Sequence, residues 1–118
     1  MDFKQAIHDH SDWKRKFRAA LAEGTALDPV RIARDDCCDV GKWLKASLGE
    51  PWTAGASYAA CVQAHAQFHR EAGKIAAAIC GGHAHDAETM LQPGMPYAAA
   101  ALQVVVALAK LEEEAEKA

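Results

Sequence analysis

His65 and His69 stand four residues apart in the segment AHAQFHREA. On an α-helix that spacing puts both rings on one face, with Cβ atoms about 5–6 Å apart, so the pair can chelate one metal ion. Two imidazoles leave room for further ligands, and the candidates are His10 and Cys38. Three nitrogens and one thiolate sulfur in a tetrahedron suit Zn²⁺, a borderline-soft ion with no geometric demand of its own. Cys38 follows His10 by 28 residues and precedes His65 by 27, so the four donors must come from separate elements meeting at one level.

Those elements are helical. β-branched and polar residues nowhere alternate for long, and alanine is abundant, which favours helices and their close packing. A first helix is expected from Asp2 to Glu23, with an inward stripe of Phe3, Ala6, His10, Trp13, Phe17 and Ala20, and Gly24 as its stop. Asp28 and Pro29 read as N-cap and first-turn proline of a short helix through about Ala33. A second short helix spans Cys38 to Ser47 and ends near Gly49-Glu50-Pro51. A long helix from Ala56 to Ile79 carries the stripe Tyr58, Val62, His65, His69, Ala72, Ala76, Ile79, with Gly81-Gly82 ending it. Asp86 is a candidate cap for a turn through Leu91. After Pro93-Gly94-Met95-Pro96 a last helix presents Tyr97, Ala101, Val104, Leu108 and Leu111, and its charged end LEEEAEKA is expected to fray. The whole is an all-α, four-helix-bundle-like domain over residues 1–118, with an extra short helix carrying the cysteine ligand.

His10, His65 and His69 thus fall on stripes otherwise apolar. An unpaired polar group buried there costs about 1–3 kcal/mol, and one metal ion satisfies three rings at once. Taken singly, each has a plainer reading: His10 as a satisfied half-buried histidine, His65/His69 as a surface pair. Trp13 and Trp43 read as core and wall of the site, Phe68 as packing, and Gly41 as the point where the short helix approaches a neighbour. Cys37 reads as a spectator or a resolving thiol, Cys61 as a small buried hydrophobe and Cys80 as a helix-end residue. His8 faces away from His10, and His83 and His85 read as solvated loop residues or a weak extra site. Asp12, Asp39 and Glu71 are the candidate partners for ligand N–H groups.

Three segments, H-S-D-W (His10–Trp13), C-D-V-G-K-W (Cys38–Trp43) and H-A-Q-F-H (His65–His69), resemble, in order, the elements of the chemoreceptor zinc-binding (CZB) domain family. Val40 stands where that family has a larger Leu or Phe, which bears on packing more than on ligation. Met90 to Glu113 is similar to the family's C-terminal helix. The resemblance implies that His10, Cys38, His65 and His69 bind zinc and that the bundle pairs as a homodimer. It also implies a regulatory role in bacterial signalling, in chemotaxis or cyclic-di-GMP control, responding to zinc or to oxidants through the zinc-bound cysteine. No methyl-accepting or cyclase domain accompanies the sequence, so the chain is expected to be free-standing or a fragment, working with a signalling partner or a missing output domain.

Composition narrows the classes. A net charge of -3 without a dense basic stripe argues against nucleic-acid binding. MDFKQAIHDH has no apolar leader-like region, and no apolar run is long enough to insert in a membrane, so a cytoplasmic protein is expected. Its four cysteines then read as thiols or metal ligands rather than disulfides. A zinc hydrolase would keep an open coordination position beside a general base, whereas four ligands close the tetrahedron and no H-E-x-x-H occurs. A di-iron carrier needs bridging carboxylates that the stripes lack, and a structural-only bundle leaves three stripe histidines unexplained; the alternatives beside a regulatory module are a zinc hydrolase and a purely structural zinc-stabilised bundle. The expectation is a regulatory module, not an enzyme.

Overall fold

The computed structural model describes residues 1–117 and is helical throughout, with no strand among them. Seven helices follow in order: α1 (Phe3–Ser11), α2 (Trp13–Glu23), α3 (Pro29–Ile32), α4 (Asp39–Ala46), α5 (Ala56–Cys80), α6 (Ala84–Met90) and α7 (Pro96–Lys117). A 3₁₀ turn over Pro51–Thr53 leads into α5. The bundle measures 47 × 26 × 19 Å. Three long rods build it: α1 with α2, then α5, then α7. The short helix α3 packs on α5, and α4 meets α1 and α5 through Trp43 on Phe3 and Tyr58 on Leu44.

The first rod differs from the expected single helix Asp2–Glu23, because it is interrupted at Asp12. Just before the break, Ser11 Oγ donates to the carbonyl of Ile7 (2.9 Å) and His10 Nδ1 lies 3.3 Å from the carbonyl of Ala6. Side chains that bond the carbonyl four residues back bend helices in this way. Asp12 itself holds Arg15 through two contacts of 2.7 and 2.8 Å. Both halves keep the expected inward face, with Ala6, His10, Phe17 and Ala20 buried. Gly24 closes α2 at φ 69°, in the left-handed region where glycine carries no Cβ penalty. Asp28 caps α3 by accepting from the Arg31 amide at 3.2 Å. Asp86, by contrast, lies in the first turn of α6, whose N-cap is His83.

Helix α5 is the hub, packed against α7, α3, α6 and α2. Its buried arc is wider than the expected stripe and turned from it. Cys61, Phe68 and Ile75 are fully buried, whereas Val62 is 37% exposed. A helix with neighbours on several sides buries more than one narrow stripe, and that is why the single line of Tyr58, Val62 and His65 missed the centre. On α7 the expectation holds nearly residue for residue, with Tyr97, Ala100, Val104, Leu108 and Leu111 buried. The end of α7 is helical through Lys117 rather than frayed. Ser57 donates to Glu114 (2.7 Å) and Lys117 pairs with Glu113 (3.1 Å).

Candidate metal centre

The site lies where α1, α4 and α5 converge. His65 and His69 sit one turn apart on α5, as their spacing requires, and both are buried. Their Nε2 atoms are 3.1 Å apart. Cys38 Sγ lies 3.3 Å from each. His10 supplies a fourth donor from the last turn of α1, and all four donor atoms lie within 4.8 Å of one another. Bonds of about 2.0–2.1 Å to nitrogen and about 2.3 Å to sulfur give tetrahedral edges of about 3.3–3.6 Å. The three short edges found here, 3.1 to 3.3 Å, are close to that figure. The cluster is able to hold a metal ion.

The protonation chemistry points the same way. His69 Nδ1 lies 2.8 Å from the carbonyl oxygen of Ile32. A carbonyl only accepts, so Nδ1 carries the proton and the Nε2 lone pair faces the cluster. His10 Nε2 is buried with no hydrogen-bond partner. Such an atom costs about 1–3 kcal/mol unless something satisfies it. Burial, with some repulsion from neighbouring rings, lowers the pKa of His10 to about 4 and that of His65 to about 3, and burial lowers His69 as well. All three rings are therefore neutral near pH 7 and offer lone pairs rather than N–H⁺ groups. Burial also raises the Cys38 thiol. A cation at the centre of the cluster is what favours the thiolate there.

Cys38 is placed by a local device. It is the N-cap of α4 rather than a member of the helix, and its Sγ accepts from the Gly41 amide at 3.2 Å. Gly41 has no alternative at its position. A Cβ there would fall on the carbonyl oxygen of Asp35 and come within 3.1 Å of His65 Cε1. The expected close approach is therefore real, and it is what lets α4 deliver the sulfur to the rings. Cys38 is only half-buried, and it lines a cleft of about 350 Å³ together with Cys37, Asp9 and Lys16.

Other expectations fare unevenly. Trp13 borders the centre, its ring 6.3 Å from that of His69. Trp43 does not wall it; it packs on Phe3 at 5.0 Å and Trp52 at 5.6 Å. The second wall is Phe68, with ring distances of 4.9 Å to His10 and 5.3 Å to His69. None of the three suggested carboxylates holds a ligand ring. Asp12 is taken by Arg15, Asp39 is exposed, and Glu71 bonds Gln67 and Lys74. Backbone carbonyls of Ala6 and Ile32 stand in their place, and sequence carries no signal for a backbone partner contributed by another helix. Cys61 is buried as expected, Cys80 Sγ donates to the carbonyl of Leu27 (3.2 Å), and His8, His83 and His85 are exposed and join no metal-ligating cluster among the described residues.

The profile of the chemoreceptor zinc-binding domain matches residues 10–76, more than half of the sequence and a span that takes in all four converging side chains. The chain belongs to the chemoreceptor zinc-binding domain family. The match ends at Ala76 and so does not extend to the α7 segment. No curated protein and no solved structure matches the chain significantly. No described helix is long and apolar enough to cross a membrane.

Proposed function

We propose that this protein is a cytoplasmic zinc-binding regulatory domain, not an enzyme, in which His10, Cys38, His65 and His69 hold one Zn²⁺ and changes at that site pass to a signalling partner. One observation carries the reading: three ring nitrogens and one sulfur converge within 4.8 Å, and one of those rings has a buried nitrogen with no other partner. Membership of a zinc-binding family supports zinc over other divalent ions. Zinc, when bound, supplies the positive charge that neutral rings and a buried sulfur lack. The protein positions three of the donors on the long rods and the fourth at the start of the short helix α4.

That asymmetry suggests what is sensed. Cys38 is the one oxidisable donor and the least buried of the four. A two-electron oxidant such as a peroxide, transferring oxygen to its sulfur, converts a good ligand into a sulfenic acid. Withdrawal of zinc by a chelator has the same local consequence: the start of α4 loses its metal-mediated tie to α5. A closed set of four ligands leaves no position for a reacting water, which weighs against hydrolysis.

The same reading takes the working unit as a homodimer. The solvent side of α7 supports it: between Tyr97 and Ala109 there is no charged residue, and Leu102 and Val106 are 65% and 57% exposed. Four glutamates follow at the C-terminal end of α7, while Lys14 lies beside its N-terminal half. An antiparallel second copy therefore sets acidic end against basic flank, whereas a parallel one stacks glutamates. The test of the whole reading is elemental analysis of the purified protein with a zinc titration of wild type and Cys38→Ala. One zinc per chain, with affinity lost in the variant, is expected. A protein without zinc that also fails to take it up sinks the proposal. Sedimentation of Leu102→Lys should show monomers if α7 is the pairing face.

A further inference from the structure

Glycine in the middle of a helix costs about 1 kcal/mol relative to alanine, yet Gly73 sits inside the 25-residue α5, one turn past His69. The reason is on its surface. A Cβ at 73 would stand 2.5 Å from Ala33 Cβ and 2.9 Å from Ala33 Cα. The bare glycine lets the end of α3 lie against the backbone of α5. The residue before Ala33 is Ile32, the last of α3 and therefore a residue whose carbonyl has no partner within its own helix. That carbonyl is the one 2.8 Å from His69 Nδ1. Without the close approach at 73, the carbonyl retreats from the ring.

We propose that Gly73 is a positioning residue for the metal centre: by admitting Ala33 it holds the Ile32 carbonyl on His69, fixing the proton on Nδ1 and the Nε2 lone pair toward the cluster. The inference rests on the zinc-binding reading but concerns different atoms. Its chemistry is that of outer partners that orient a ligand ring and raise its basicity. It also explains why a four-residue helix without a single buried residue is packed so closely on α5. Its contribution there is a carbonyl, not an apolar side chain.

The experiment is a zinc titration against a competing chelator for wild type, Gly73→Ala and, as control, Gly55→Ala, whose added Cβ meets nothing within 4 Å. Loss of an outer partner of a ligand typically weakens metal binding about 10–100-fold. That loss is expected for Gly73→Ala and not for Gly55→Ala. Adding Ala33→Gly to Gly73→Ala removes the worst contact and should recover part of the loss. Nitrogen NMR of the rings gives a second readout, with His69 in the Nδ1–H form in wild type and a mixture of tautomers in Gly73→Ala. If Gly73→Ala melts lower but binds zinc as tightly as wild type with the same His69 tautomer, Gly73 is a packing residue only and the proposal is overturned. If wild type binds no zinc, the zinc-binding reading fails first; a His69 tautomer unchanged by Gly73→Ala would then overturn this proposal too.

Discussion

The two halves of the metal centre are built differently. His65 and His69 lie on α5, the helix against which the others pack, and each is fixed by a register one turn long. Cys38 lies at the mouth of α4, after a stretch from Ala33 to Cys38 with no helix of its own, and is the only half-buried member of the four. His10 resembles the α5 pair in burial, since it sits on a long rod under Phe68. One half is carried by the long rods, and the other by the start of a short helix held by the Gly41 amide and by Tyr58. Metal loss should loosen the second half more than the first.

The largest effect that separates the halves is metal removal. With zinc in thousandfold excess over Kd, binding contributes about 4 kcal/mol to stability, so the apo protein should melt about 10–20 °C lower. It should remain helical, with hydrogen-exchange protection lost over residues 28–46 and retained in α5 and α7. Loss of protection in α5 as well would erase the distinction. Next comes His10→Leu. It abolishes a donor, so the zinc-loaded protein should be destabilised. The apo form should instead gain about 1–3 kcal/mol, because an unsatisfied buried nitrogen disappears. Paired thermal melts with and without chelator read both signs.

Acidification probes the buried half alone. His10 and His65 titrate at about 4 and about 3 in the folded chain, below the ordinary value of 6.5. The unfolded chain therefore takes up protons first. Stability of the apo protein should be full above pH 6.5 and fall as pH drops through the window between 6.5 and about 3. Cys38→Ala should leave that profile in place, as checked by denaturant melts across pH. The smallest effect is expected from Tyr58→Phe. Its hydroxyl donates to the carbonyl of Leu44 at 2.7 Å and ties the end of α4 to α5. Its loss should cost about 1 kcal/mol and show mainly as faster exchange in α4.

The same division governs what could be read from sequence. Residues that repeat at helical spacing on a long rod declared themselves: His10 with Phe17, His65 with His69, Val104 with Leu108. Caps and stops such as Asp28 and Gly24 did so as well, because their chemistry is local. What stayed hidden depends on a second element whose approach has no sequence period. The carbonyl of Ile32 on His69 is one case, and the turn of the α5 arc toward Phe68 and Ile75 is another. From sequence Phe68 reads only as packing, because a single inward stripe leaves it out, whereas α5 has neighbours on several sides. Trp52 carries no periodic signal for the same reason: it completes a cluster with Phe3, Trp43 and Tyr58 that comes from four separate segments. The break at Asp12 was hidden by hydrogen bonds of Ser11 and His10 that a periodic pattern does not encode.

The sulfur of Cys38 also begins a helix. Its lone pairs take the Gly41 amide that would otherwise be left without a partner at the start of α4. Donor loss and helix fraying are thereby written into one atom. A chain with alanine at 38 forfeits both, while one with serine keeps an oxygen to cap α4 and gives up only the soft ligand. Whether α4 unwinds when the sulfur is spent is thus a question of punctuation as much as of coordination, and the two substitutions compared without metal measure the punctuation alone.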